Sequence, residues 1–220
     1  MIEAVVFDLD GVLVDSEEAW NEARRQLAEE RGGRWTEQAQ KDMMGMSSTE
    51  WSRYMHDVIG MPAPPEEISA EVVRRLEQLY RERLPLLPGA VEAVERIAAR
   101  WPLAIASSSN RPLIDVVLEL SGLARYFAVT VSSEEVARGK PAPDVYLEAA
   151  RRLGRDPTRC AAIEDSENGI RSAAAAGMRV VAIPNRAFPP SPETLGLAHV
   201  VIASLAELEP GVIDPERAGN

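Results

Sequence analysis

The sequence predicts a doubly wound α/β fold, a Rossmann-like parallel sheet core, with an all-helical segment inserted after the first strand. Three observations predict it. A lone apolar run, AVVF at 4–7, is followed over 15–84 by helical pattern alone. From Pro88 onward, helical stretches alternate with short apolar runs, the arrangement that builds parallel strands with right-handed crossovers. Several of those runs give way to polar clusters, as expected where the carboxyl ends of parallel strands face one crevice.

Taken in order, Ser16 is placed to cap a helix over 17–30, with acidic residues in the first turn where the helix dipole favours them. Gly32 and Gly33 end it. Helical stretches follow over 36–44 and 48–59, broken by Gly45 and then by the Pro-rich 61–65. A fourth runs from about Glu66 to Arg83, with Ile68, Val72, Leu76 and Leu79 on one stripe. The core is therefore expected at 1–14 and 85–220, and the helical insert at 15–84. An insert hung on two adjacent connections is a candidate lid over the crevice.

Beyond the insert, a helix over 89–100 precedes a strand at 102–107, and one over 110–122, with Pro112 in its first turn, precedes 127–132. Helices over 141–154 and 168–178 precede strands at 161–165 and 179–184. A short strand at 199–204 and a helical turn at 205–209 follow, and 210–220 reads as a frayed tail.

Composition narrows the function classes. The 220 residues suffice for one well-buried core plus a smaller appended domain, given usual domain sizes of roughly 100–150 residues. A net charge of −11 and the lack of a long Lys/Arg run argue against nucleic acid as a partner. The apolar fraction of 45% is ordinary, and no apolar run reaches the ~20 residues needed to span a bilayer. The single Cys160 cannot form an internal disulfide and the first residues lack a secretory pattern, so a cytoplasmic location is expected, as a monomer. Cys160 reads as a small core residue, and neither it nor His56 or His199 clusters with other ligands in the manner of a zinc site.

Four clusters carry chemistry. DLDG ends the first run and points Asp8 and Asp10 to one face. Ser107, Ser108, Ser109 and Asn110 end the second; Gly139, Lys140 and Pro141 follow the third; Glu164, Asp165 and Ser166 end the fourth. Alone, DLDG is equally a solvated turn, the serines a turn or cap, Lys140 a surface lysine, and Glu164 and Asp165 helix N-terminal charges. Pooled at one crevice, they make a site for a divalent cation and an attacking carboxylate.

In the order DLDGVLVDSE, ASSSN, KPAPDVY and IEDSENGI, these stretches resemble the four motifs of the haloacid dehalogenase superfamily, in its helical-cap branch of β-phosphoglucomutase-like and phosphoglycolate-phosphatase-like enzymes. The resemblance covers nearly the whole chain. It implies that Asp8 is the nucleophile that becomes an aspartyl phosphate and Asp10 the general acid/base. It implies that Ser107 and Ser108 bind phosphate and that Lys140 bridges nucleophile and phosphoryl oxygens. Mg²⁺ would be held by Asp8, Asp165 and the Asp10 carbonyl, with Glu164 a further ligand or a group that holds ligands in place.

Asp10 argues against dehalogenation, which has no alkoxide to protonate. A mutase of the β-phosphoglucomutase type would place a histidine where Trp20 stands and a cap-loop arginine where Ser48 stands. Hydrolysis of a small sugar, polyol or glycolate-type phosphate is therefore expected, with a phosphosugar mutase as the alternative. A non-enzymatic phosphoester-binding protein would be expected to lose Asp8, Asp10 or Lys140. Glu18, Trp20, Met44, Gly45, Met46, Ser47 and Trp51 are the candidate specificity surface, one that suits a small neutral group rather than a second anion. Arg186 reads as solvated.

Overall fold

The computed structural model describes residues 1–43, 46–186 and 188–217. In chain order the elements are β1 (Ala4–Phe7), α1 (Glu17–Glu30), α2 (Glu37–Met43), α3 (Ser48–Asp57), α4 (Pro65–Glu82), α5 (Ala90–Ala98), β2 (Leu103–Ser107) and α6 (Arg111–Ser121). There follow β3 (Phe127–Ser132), α7 (Asp144–Leu153), β4 (Cys160–Glu164), α8 (Glu167–Ala175), β5 (Arg179–Ala182), α9 (Pro192–Leu195), β6 (Val200–Val201) and α10 (Pro210–Ile213). The strands form one parallel sheet in the order β3-β2-β1-β4-β5-β6. Successive strands step outward from β1, first on one side and then on the other. The order reverses beside β1, and a crevice opens there at the carboxyl ends of the strands.

Because side chains alternate along a strand, the two faces of the sheet differ in kind. Val5, Phe7, Leu103, Ile105 and Ile163 point into an apolar core shared with α5, α6 and the α1–α4 segment. Ala4, Val6, Ala104, Ala106, Cys160 and Ala162 point to the other face, against α7 and α8. Those small side chains leave room for the two helices to lie close to the strand ends. Cys160 is buried there, and burial pushes its thiol up to about 11, so it stays protonated, as a core residue would.

The α1–α4 segment leaves and rejoins the sheet at one point. Val14 bridges antiparallel to Leu86, the Asp15 amide donates to the Pro85 carbonyl at 2.8 Å, and the Leu87 amide to the Leu13 carbonyl at 2.9 Å. Within the segment α4 packs on α1 and α3, and it also reaches α6. Its buried stripe is Ile68, Val72, Val73, Leu76 and Tyr80; Leu79 is half-buried because the stripe rotates toward Tyr80 at the end of the helix. No described helix is long and apolar enough to cross a membrane.

Two local expectations are corrected. Ser16 does not cap α1 through its side chain; its backbone is already helical, and the residue is buried beside the crevice. Nor is the stretch after Pro210 frayed up to Asp214. Ile213 is fully buried, and Asp214 accepts a 2.9 Å hydrogen bond from the Ile2 amide, which ties α10 to the start of β1.

Candidate active site

The carboxyl ends of β1, β2 and β4 supply Asp8, Ser107 and Glu164–Asp165, and the loop after β3 supplies Lys140. Asp8 continues the pairing of β1, its amide donating to Ile163 at 3.0 Å. Its Oδ1 accepts from Lys140 Nζ at 2.6 Å, and the same ammonium donates to Glu164 Oε1 at 2.6 Å. Tyr146 on α7 also donates to Glu164 Oε1, at 2.8 Å. The other oxygen, Oε2, accepts from the amides of Asp165 and Ser166 and from the Ser166 hydroxyl.

Two glycines make this packing possible. A Cβ on Gly169 would stand 1.8 Å from Glu164 Oε1, so α8 can pass the carboxylate only without a side chain there. Gly11, at φ 80°, turns the chain away after Asp10, and a Cβ on it would stand 2.0 Å from Asp165 Oδ2.

Asp10 is held by a separate set of donors. Ser109 Oγ donates to its Oδ2 at 2.6 Å and Ser107 Oγ at 3.4 Å, while Trp20 Nε1 donates to Oδ1 at 3.3 Å. Ser107 is fully buried and accepts from the Ser109 amide. Ser108 and Ser109 line the open space in its stead, and Ser109 had not been singled out from its cluster.

The charges do not balance locally. Asp8, Glu164 and Asp165 each place an oxygen within 4.8 Å of the others, and Lys140 is the one cation bonded to this cluster among the described residues. Burial pushes Asp8 up to about 8; Lys140 opposes the rise, and Glu164 and Asp10 add to it. One shared ammonium cannot offset several buried carboxylates, so the upward direction holds despite the short ion pair. Asp165 is raised well above the carboxylate range by burial and by Glu164 and Asp8, and its buried Oδ1 has no hydrogen-bond partner. Burial works against the charge on Lys140, but Asp8 and Glu164 outweigh it and raise the ammonium. A surplus of buried negative charge, an orphaned carboxylate oxygen and an all-oxygen donor set fit a hard divalent cation such as Mg²⁺. Glu164 belongs to the cluster by distance, but its oxygens are already taken by five hydrogen bonds.

The cluster opens into a cavity of about 430 Å³, roofed by α1, α2 and α3. Of the expected specificity residues, Trp20, Met46 and Trp51 line it, and Met44 and Gly45 lie outside the described residues. Glu18 and Ser47 do not line it. Glu18 is exposed because the inward stripe of α1 runs through Glu17, Trp20 and Arg24, at helical spacing. Ser47 is used in the capping box of α3, exchanging hydrogen bonds with Glu50. Arg186 is exposed, as expected. The sequence reading missed Glu17, Arg24 and Lys41, all of which line the cavity.

Sheet order and carboxylate cluster together define a doubly wound α/β protein with its polar groups gathered at the carboxyl edge of the central strand. A family model described as haloacid dehalogenase-like hydrolase matches residues 2–177, and the chain belongs to that family. It is 33% identical to a probable pseudouridine-5'-phosphatase of Drosophila melanogaster, over 93% of this chain and 90% of that one. It is 34% identical to hexitol phosphatase B of Escherichia coli K12, over 94% of each. A crystal structure of CbbY from Rhodobacter sphaeroides in complex with phosphate aligns with a TM-score of 0.87 at 29% identity, covering 97% of this chain and 100% of that one.

Proposed function

We propose that the protein is a Mg²⁺-dependent phosphatase that hydrolyses a small phosphate monoester, of the sugar, polyol or glycolate type, through an aspartyl-phosphate intermediate. The observation that carries the reading is Asp8, ion-paired to Lys140 at 2.6 Å beside the unpartnered Oδ1 of Asp165, at the end of the central strand. The phosphatase names of the relatives support it.

In this reading an Asp8 oxygen attacks phosphorus and the bond from phosphorus to the alcohol oxygen breaks. Asp10, in its protonated form, gives its proton to the departing alkoxide. It then takes a proton from the water that attacks the phosphorus of the aspartyl phosphate, which restores the Asp8 carboxylate and frees inorganic phosphate. Trp20, Ser107 and Ser109 hold Asp10 in place for both transfers. Lys140 sets its charge against Asp8 and the phosphoryl oxygens, and Ser108, which lines the cavity, donates to them. Asp8, Asp165 and the Asp10 carbonyl would hold Mg²⁺, which when bound offsets the repulsion between a carboxylate and an anionic phosphate. Glu164 holds Lys140 and Tyr146 rather than the cation.

Residues 15–84 act as a lid, a role supported by the paired connections at Val14–Leu86. Hydrolysis is favoured over mutase action because Ser48 stands where the mutase arginine would and turns its hydroxyl to Glu134, at 3.4 Å. The test is phosphate release from p-nitrophenyl phosphate with Mg²⁺, with Asp8→Asn protein as the blank. Release by the native chain alone supports the reading; no release, or equal release by both proteins, overturns it.

A further inference from the structure

The roof of the cavity holds a cation that the phosphoryl chemistry does not use. Arg24 is 8% exposed, and its guanidinium lies over the rings of both Trp20 and Trp51, at 4.6 and 4.9 Å from their centroids. The two rings themselves meet edge-on at 5.8 Å. Arg24 lines the cavity, yet it makes no hydrogen bond or ion pair with any described residue, and its buried Nε has no partner. Burial brings the guanidinium down to about 10, with Glu17 and Asp10 opposing the fall, so it remains charged at neutral pH.

An unpaired buried charge is costly, and the rings satisfy only its faces. The donors at the edge of the fork are left for whatever enters the cavity. A neutral hydroxyl would satisfy one N–H and leave the charge unpaired, whereas a carboxylate or phosphate matches the fork and cancels the charge. Position agrees with this. Arg24 stands one turn beyond Trp20, which touches Asp10, and two turns beyond Glu17, roughly 10 Å along the helix at 1.5 Å per residue. Glu17 lines the same cavity without a hydrogen bond to a described residue, an acceptor for hydroxyls in between. Lys41, exposed and without an ion pair to a described residue, adds a second positive charge to the lining.

We propose that Arg24 is the specificity-determining residue of this site and that it takes an anionic group, a carboxylate or a second phosphate, at the end of the substrate remote from the transferring phosphoryl group. The proposal rests on the phosphatase reading and reverses the expectation of a neutral tail. The natural substrate is then a phosphomonoester with a second anion, not a simple polyol phosphate.

The experiment compares substrates matched in length: 6-phosphogluconate against glucitol 6-phosphate for a carboxylate, and fructose 1,6-bisphosphate against fructose 6-phosphate for a second phosphate. The native protein, Arg24→Gln and Arg24→Lys are each assayed for kcat and KM, with p-nitrophenyl phosphate, which has no second anion, as the control. The native chain should prefer one or both anionic members by about ten- to a hundredfold in kcat/KM, the range of a charge-assisted hydrogen bond. Arg24→Gln should erase that preference mainly through KM, leave p-nitrophenyl phosphate turnover within about twofold, and be partly rescued by Arg24→Lys. Equal kcat/KM across both pairs in the native chain overturns the proposal, as does an Arg24→Gln loss shared equally by the neutral members and p-nitrophenyl phosphate. Failure of the phosphatase reading shows separately, as no turnover of p-nitrophenyl phosphate. Calorimetric binding of the same pairs to native and Arg24→Gln protein then decides the role of Arg24 without turnover: tighter anionic binding lost in the variant supports it, and equal binding overturns it.

Discussion

At the sheet end of the cavity the carboxylates are fastened from several sides, whereas at the helical end the Arg24 Nε meets nothing. Glu164 accepts from four residues and Asp10 from three, so both side chains are fixed before a substrate arrives. Arg24 is fixed only by ring faces. On the proposed reading, the difference separates two tasks. Groups that act on a transferring phosphoryl must be in position in advance, because reorganisation during reaction raises the barrier. A group that selects among substrates is most discriminating when its polar atoms are satisfied by the right ligand alone.

Four substitutions or conditions would sharpen or break this contrast. The largest effect belongs to the sheet end: Asp8→Asn should lower kcat by at least about a thousandfold with its circular dichroism spectrum unchanged, since it removes the proposed nucleophile and keeps the shape. Near-native turnover would leave the two ends without the proposed division. Gly169→Ala comes next. Its Cβ would press on the Glu164 carboxylate, so folding stability measured in urea should fall by about 2–3 kcal/mol, together with activity, as Lys140 loses its anchor.

Cation binding should then depend on pH. The carboxyls of Asp8 and Asp165 are raised in the folded chain, so the stability that each contributes is fully present below the ordinary carboxylate pKa and is lost as pH rises through its raised value, about 8 for Asp8. Mg²⁺ competes with those protons, and it should raise the melting temperature by about 3 °C more at pH 8 than at pH 5. The smallest effect lies on the roof, away from the cavity: Ser47→Ala should cost about 1 kcal/mol through the lost cap of α3 and leave kcat/KM within about twofold.

The sheet end was legible in the sequence because the runs of β1, β2 and β4 stop at their polar clusters, with Lys140 following in the loop after β3, and parallel strands with crossovers bring those stops to one edge. The helical end was not. Arg24 and Arg25 read alike as a basic pair on a charged helix, but a step of one residue turns the side chain by about 100°. Arg25 lies outside and pairs with Glu22 and Glu29, while Arg24 goes under the roof. The spacing of Glu17, Trp20 and Arg24 was the available signal. Gly169 was hidden for another reason: only the meeting of β4 with α8 shows that a side chain there has no room. The docking of α10 likewise depends on Asp214 finding the amide of Ile2, a partner from the far end of the chain.

The position of β1 also governs how the chain can assemble. Val5 pairs with Leu103 on one side and with Ala161 on the other, so the central strand has no partner nearby in sequence. Helices α1 to α4 meet one another through much shorter loops and can collapse first, while β1 waits for segments made far later. Long-range pairing of this kind slows folding, because the entropy of loop closure is spent before the contacts form. During synthesis on a ribosome, the residue that is proposed to carry the phosphoryl group would thus be made well before the strands that seat it.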